Sequence, residues 1–162
     1  MNILYIGFCL EVTNILEFII DHCSNLEELP SSIYNMTSLQ QFSITNCHDL
    51  QNLSNFIGDL GSLKMLKLYA CWSLEELPYS VCKLKQQQSL NISSCWHIKQ
   101  FLDQLGQLSS LKELDMRDYS CVRQLPKLAR DLRSLVHVIC DEQIEHQWLD
   151  IKCTTPKSIH NE

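Results

Sequence analysis

The sequence has few glycines, few basic residues and no unbroken apolar run, and each shortage excludes a class of function. Only four of the 162 residues are glycine, and neither a glycine-rich phosphate loop nor the G-x-S-x-G turn of serine hydrolases occurs. The chain has 13 Lys and Arg against 19 Asp and Glu, a net charge of -6, with the basic residues scattered among acids. Nucleotide and nucleic-acid ligands, which need such loops or a basic face, are therefore not expected.

The most apolar stretch spans residues 3–20. Three polar residues interrupt it, Glu11, Asn14 and Glu17, and each would be costly at the depth of a bilayer. The stretch also lacks the basic start and the small-residue cleavage site of a secretory signal. The sequence therefore predicts a cytoplasmic or nucleocytoplasmic protein without membrane activity.

A period of 24 residues runs through the chain without an insertion. Its first positions are Ile15, Leu39, Leu63, Gln87, Leu111 and Leu135. Counted from that residue, apolar side chains recur at +3, +5, +11 and +14, and position +8 holds Cys23, Cys47, Cys71, Cys95 and Tyr119. This spacing matches the leucine-rich-repeat pattern L-x-x-L-x-L-x-x-N/C-x-L.

The repeat pattern predicts an α/β solenoid. Each turn leaves one apolar edge uncovered, and stacking the turns at strand spacing, about 4.8 Å, buries these edges in one core. Short parallel strands should form a concave face. The Leu-Pro segments at Leu29, Leu77 and Leu125 favour irregular or 3-10 returns on the convex face.

The pattern divides the chain into four parts. We expect a degenerate N-terminal segment at 1–14, five full repeats and one partial repeat at 15–140, a capping helix at 141–152 and a disordered tail at 153–162. Asp141 should cap the helix, whose residues Ile144, Trp148 and Ile151 share one face. The fourth repeat should be the loosest, because it begins with Gln87.

The nine cysteines are an odd number, and four of them occupy the core register at +8. We interpret these four as reduced, buried thiols that donate weak hydrogen bonds to the backbone. No C-x-x-C pair or zinc-finger spacing occurs, and apolar surroundings disfavour a nucleophilic thiolate. The sequence therefore predicts no catalytic residue, no metal and no cofactor, and His97, His137 and His146 are interpreted as exposed polar residues.

Side chains at +2, +4 and +6 should point outward on the concave face, since side chains alternate along a strand. At +9, where the chain leaves the strand, two tryptophans should stack. The residue types enriched in interface hot spots predict a protein-binding surface. Its expected residues are Lys67, Tyr69, Trp72, Asn91, Trp96 and Arg117. The alternative, that the tryptophans only cover the rim of the sheet, stays open.

The type of repeat resembles that of one family. Cys in the turn and Glu-x-Leu-Pro in the return, at residues 27–30 and 75–78, resemble the cytosolic repeats of plant NLR disease resistance proteins. Residues 136–141 with Trp148 are similar to the closing repeats of the helper class, whose N-terminal domain resembles powdery-mildew resistance proteins. The resemblance covers about 18–149, and the chain is expected to be a truncated product or fragment.

The resemblance implies a part in plant innate immunity. In that family the repeats keep a nucleotide-binding switch domain off and help to engage heterodimers of lipase-like immune proteins. Leucine-rich repeats alone do not name a function. The alternative is the substrate-recognition repeats of an F-box ubiquitin ligase or another cytosolic scaffold, and a third interpretation is a thiol enzyme or metal protein.

Overall fold

The structure, a computed structural model, describes residues 14–98, 105–118, 125, 127–151 and 156–158. In these residues seven strands form one parallel sheet in chain order. The strands are β1 Glu17–Asp21, β2 Gln41–Thr45, β3 Met65–Tyr69, β4 Ser89–Asn91, β5 Glu113–Asp115, β6 His137–Cys140 and β7 Pro156–Ser158. Five 3-10 helices connect them, at Ser31–Asn35, Asn55–Asp59, Tyr79–Lys83, Leu105–Gln107 and Lys127–Asp131, and one α-helix, α1, spans Glu142–Asp150.

The register of the sheet follows the 24-residue period. Glu17 pairs with Gln41, which pairs with Met65, and the same step leads onward to Glu113 and His137 through Ser89. Each turn of the chain therefore adds one strand, and the predicted stack of short parallel strands is confirmed.

The core lies behind the sheet, where the predicted apolar positions converge. Phe42, Ile44, Leu66 and Leu68, at +3 and +5 of two repeats, are fully buried. Gln87 is also fully buried; its Nε2 donates to the Ser89 carbonyl, whereas its Oε1 has no hydrogen-bond partner. The inward positions thus form one continuous core, with a polar side chain inside the fourth repeat.

Every strand from β1 to β5 is followed by a left-handed residue at +7. These residues are His22, Asn46, Ala70, Ser94 and Asp118, with φ between 52° and 58°. This conformation is uncommon outside glycine, and here it turns the chain so that +8 enters the core. A backbone hydrogen bond holds the turn, as when Asn46 N–H donates to the Tyr69 carbonyl at 2.9 Å. The turn also brings +9 to the rim of the sheet.

The returns pack closely against one another on the convex side. Pro30 and Pro78 precede their 3-10 helices, and Ser54 takes the same place with its hydroxyl accepting a 3.3 Å hydrogen bond from Phe56 N–H. A Cβ atom added to Gly58 would lie 2.7 Å from the Ser80 carbonyl oxygen. The second and third returns therefore approach each other through a glycine.

Helix α1 covers the C-terminal end of the core, as predicted, with Ile144 and Trp148 buried and Ile151 packed against them. The expected role of Asp141 was wrong in one respect. Asp141 stands at the N-cap position, but its side chain makes no capping hydrogen bond and instead accepts one from Asp118 N–H at 3.0 Å.

The expected terminal segments are described only in part. Residues 1–13, 152–155 and 159–162 lie outside the described residues, and so does Tyr119, the +8 residue of the fifth repeat. Within the predicted tail, Pro156–Ser158 form strand β7, which pairs with Val138–Cys140. Among the described residues, no helix is long and apolar enough to cross a membrane.

Candidate functional site

Polar side chains at +4 form a row across the middle of the concave face. The strand register places Lys67 beside Asn91, and Asn91 beside Asp115. Three consecutive strands therefore contribute one side chain each to the row. Tyr69 lies two positions further along strand β3, at +6, and Arg117 lies at the same +6 position in the turn that follows β5.

Asp115 organises the C-terminal part of this row. Its Oδ1 accepts a 2.9 Å hydrogen bond from Arg117 Nε, and its Oδ2 accepts from Arg117 Nη2 at 2.7 Å and from Asn91 Nδ2 at 3.0 Å. The carboxylate is buried, and its hydrogen bond raises the pKa of Arg117. Two of the predicted site residues are thus fixed by a third residue that sequence reasoning did not assign to the site.

Ser93 fixes the other end of the Asn91 side chain. The Asn91 Oδ1 accepts from the Ser93 hydroxyl at 2.7 Å and from the Ser93 N–H at 2.9 Å. Because Nδ2 donates to Asp115 and Oδ1 accepts from Ser93, both polar atoms of the Asn91 amide are hydrogen-bonded. The site therefore presents Arg117 and Asn91 in one defined orientation.

Lys67 and Tyr69 form a second contact on strand β3. The Lys67 Nζ lies 5.7 Å from the centre of the Tyr69 ring, within the range of a cation–π contact. Tyr69 is 39% exposed. The pair presents an aromatic surface and a positive charge next to the Asn91–Asp115 network.

The rim of the sheet carries a stack of three rings, which we call the aromatic column: His48, Trp72 and Trp96. The His48 and Trp72 centroids are 3.7 Å apart with the ring planes at 2°, and Trp72 and Trp96 are 5.2 Å apart at 5°. Trp72 is 36% exposed and Trp96 48%. The expected stacking of the tryptophans is present. The sequence analysis did not include His48 in the stack, although its ring occupies the same +9 position in the second repeat.

The acidic start of the sheet lies on strand β1. Asp21 accepts hydrogen bonds from Thr45 Oγ1 and from Asn46 Nδ2, the latter at 3.0 Å, and pairs with His22 Nδ1 at 2.8 Å. These three contacts lower the pKa of Asp21 to about 2. The Asp21 carboxylate, at the N-terminal end of the concave face, is therefore ionised at neutral pH.

The thiols of the core lie away from this surface. Cys47, Cys71 and Cys95 are fully buried, as predicted, and their Sγ atoms donate to backbone carbonyls, that of Cys95 to Leu68 at 3.1 Å. Cys23 is only half-buried, which corrects the expectation that all four are buried. In the first repeat, Phe18 and Leu26 are likewise only partly buried, because no described turn covers that side.

Burial makes three of the thiols weak acids. It raises the pKa of Cys47, Cys82 and Cys140 to about 11. The neighbouring Cys95 thiol, together with burial, raises the pKa of Cys71 as well, and the same pairing lowers the pKa of Cys95. No group of three or more potential metal ligands occurs in the part of the chain that the structure describes.

No protein-family model and no curated protein matches this sequence. Among solved structures, the leucine-rich repeat domain of the type III effector XopL superposes with a TM-score of 0.63 and 17% identity, over 83% of this chain and 55% of that one. An LRR protein of Leptospira interrogans matches with a TM-score of 0.39 and 17% identity, over 93% of this chain and 56% of its own.

The plant peptide hormone receptor RGFR1 in complex with RGF2 matches with a TM-score of 0.36 and 14% identity, over 81% of this chain and 29% of its own. The chain thus spans little more than half of the first two structures. At such identities the likeness to the XopL domain establishes the fold alone. Together with the 24-residue register of the strands, it shows that this chain folds as a leucine-rich-repeat solenoid.

Proposed function

We propose that this protein is a non-catalytic interaction module that binds a protein partner through its concave face and the adjoining rim. The contact residues are Lys67, Tyr69, Trp72, Asn91, Trp96 and Arg117. The observation that carries the proposal is the fixed geometry of this surface. Exposed rings stand beside polar groups whose orientation is set by buried neighbours.

A fixed surface of this kind suits binding for a physical reason. Association costs free energy for every side chain that becomes ordered at the interface, about 0.5–1.5 kcal/mol for a flexible one. Arg117 is already held by Asp115, and the rings of Trp72 and Trp96 already support each other. Little further ordering is needed when a partner covers them.

The biological setting follows from the sequence resemblance. We assign the module to plant innate immunity, as the regulatory and recognition repeats of an NLR receptor of the helper class. Its partner is then a heterodimer of lipase-like immune proteins or the switch domain of an NLR. The setting of such receptors is cytoplasmic or nucleocytoplasmic.

Calorimetry with purified components tests this function. The 162-residue chain is titrated separately with a lipase-like heterodimer, with an isolated NLR switch domain and with the substrate protein of an F-box ligase. Saturable binding to either of the first two supports the immune role. Binding only to the ligase substrate, or to none of the proteins, contradicts it.

A further inference from the structure

The rim of the first three repeats carries negatively charged side chains. We define the exit edge as positions +9 to +13, which follow the turn off each strand. In the first three repeats it contains five carboxylates and no Lys or Arg: Glu27, Glu28, Asp49, Glu75 and Glu76. All five are exposed. In the fourth and fifth repeats the charge at +12 is positive, because Lys99 and Arg123 occupy this position.

Backbone hydrogen bonds hold successive turns of the exit edge together. Gln51 N–H donates to the Glu27 carbonyl at 3.0 Å, and Glu75 N–H donates to the Gln51 carbonyl at 3.2 Å. Ser73 N–H donates to the His48 carbonyl at 3.1 Å. The acidic positions and the aromatic column therefore run side by side along the solenoid, each advancing by about one strand spacing per turn.

The aromatic column ends at the first repeat. Position +9 of that repeat is Ser24, whose hydroxyl donates a 3.3 Å hydrogen bond to Asn25 Oδ1. Trp72 stacks on one face of the His48 ring, and no described residue stacks a ring on its opposite face. A planar group from outside can continue the stack at this end.

A guanidinium group fits this place better than other side chains. It is planar and stacks on aromatic rings, and it pairs with carboxylates through two parallel hydrogen bonds. Glu27 and Asp49 belong to the two turns that border the end of the column. A lysine would keep the charge attraction but would lose the stacking.

We infer that the exit edge of the first three repeats binds a basic, arginine-bearing segment of the partner protein. One guanidinium stacks at the His48 end of the aromatic column, and neighbouring cations of the segment face the carboxylates of Glu27, Asp49 and Glu76. This inference rests on the proposed function and specifies the chemistry of the partner that the rim accepts.

Model peptides test the inference directly. Peptides of equal length on a Gly-Ser background, each with four Arg, four Lys, four Gln or four Glu, are titrated into the full chain and followed by calorimetry and tryptophan fluorescence. The Arg peptide is expected to bind about tenfold tighter than the Gln peptide and about threefold tighter than the Lys peptide. Raising NaCl from 50 to 500 mM should weaken its binding several-fold.

Three variants decide where the peptide binds. His48→Ala and the double change Glu27→Gln with Glu76→Gln should each weaken binding of the Arg peptide at least threefold. Asp59→Asn, which removes an exposed acid from the convex side, should leave it unchanged. Circular dichroism checks that each variant is folded, and the Glu→Gln pair keeps the test valid should His48→Ala unfold.

The outcomes separate this inference from the proposed function. Equal binding of the Arg and Gln peptides, or an equal loss in Asp59→Asn, overturns the inference, while binding of an immune protein to the concave face would stand. Selective Arg binding that depends on His48 and the two glutamates supports the inference, even if neither immune partner binds.

Discussion

Arg117 and Asp115, two positions apart at the end of strand β5, form a bidentate ion pair, with Nε–Oδ1 at 2.9 Å and Nη2–Oδ2 at 2.7 Å. The Asp115 side chain is 12% exposed, whereas the Arg117 side chain is 38% exposed. The buried partner therefore sets the position of the exposed one. Asn91, on the neighbouring strand, donates to the same carboxylate.

Asp115→Ala should lower the free energy of unfolding by about 1–3 kcal/mol, because Arg117 and Asn91 would both lose an ionised acceptor. Urea denaturation followed by circular dichroism measures the change. Glu113→Ala, at an exposed position of the same strand, is the matched control and should change stability by less than about 0.5 kcal/mol. Equal effects of the two substitutions would show that the network contributes nothing.

Gly58→Ala should destabilise the solenoid by about 1–3 kcal/mol, because the new Cβ would stand 2.7 Å from the Ser80 carbonyl oxygen and the returns would have to separate. Gly61→Ala is the control, since a Cβ there has nothing within 4 Å. Thermal melts of the two variants give the comparison. A Gly58→Ala protein as stable as Gly61→Ala would mean that the two returns do not pack as described.

Trp148→Ala should lower the free energy of unfolding by about 3–5 kcal/mol, because removal of a fully buried aromatic side chain would leave a cavity beneath helix α1. The neighbouring Leu149 is 57% exposed, and Leu149→Ala should be nearly neutral. Chemical denaturation of both variants tests this. Similar stabilities would contradict the role of α1 as the cover of the core.

Cys23 should react with a thiol reagent faster than Cys47, Cys71 and Cys95, because it is half-buried while they are fully buried. At pH 8 the raised pKa of Cys47, about 11, leaves it almost wholly protonated and unreactive. Timed labelling with peptide mapping by mass spectrometry resolves each thiol. Rapid labelling of all four in the native protein would contradict the buried register.

The sequence period was sufficient to predict the register of the sheet, because a repeat without insertions adds one strand per turn and pairs each residue with the one 24 positions later. The residues that face the core could be predicted for the same reason. Phe42 and Leu66 share the +3 position, and any residue there faces the core.

Contacts between side chains could not be predicted in this way. Whether Asp141 accepts from its own helix or from Asp118 N–H depends on the distance between two turns, which periodicity does not contain. The half exposure of Cys23 depends on what covers the first repeat. The hydrogen bonds of Asp115 likewise depend on the rotamers of Asn91 and Arg117.

The most direct test of the central claim compares partner affinity between variants of the two faces. Tyr69→Ala and Trp96→Ala should each weaken binding of the proposed immune partner about 30-fold, as the loss of about 2 kcal/mol at an interface hot spot requires. Lys83→Ala and Arg130→Ala, exposed on the convex returns, should leave the Kd unchanged. Unchanged affinity in Tyr69→Ala and Trp96→Ala, with binding abolished by Lys83→Ala or Arg130→Ala, would contradict the assignment of binding to the concave face and its rim.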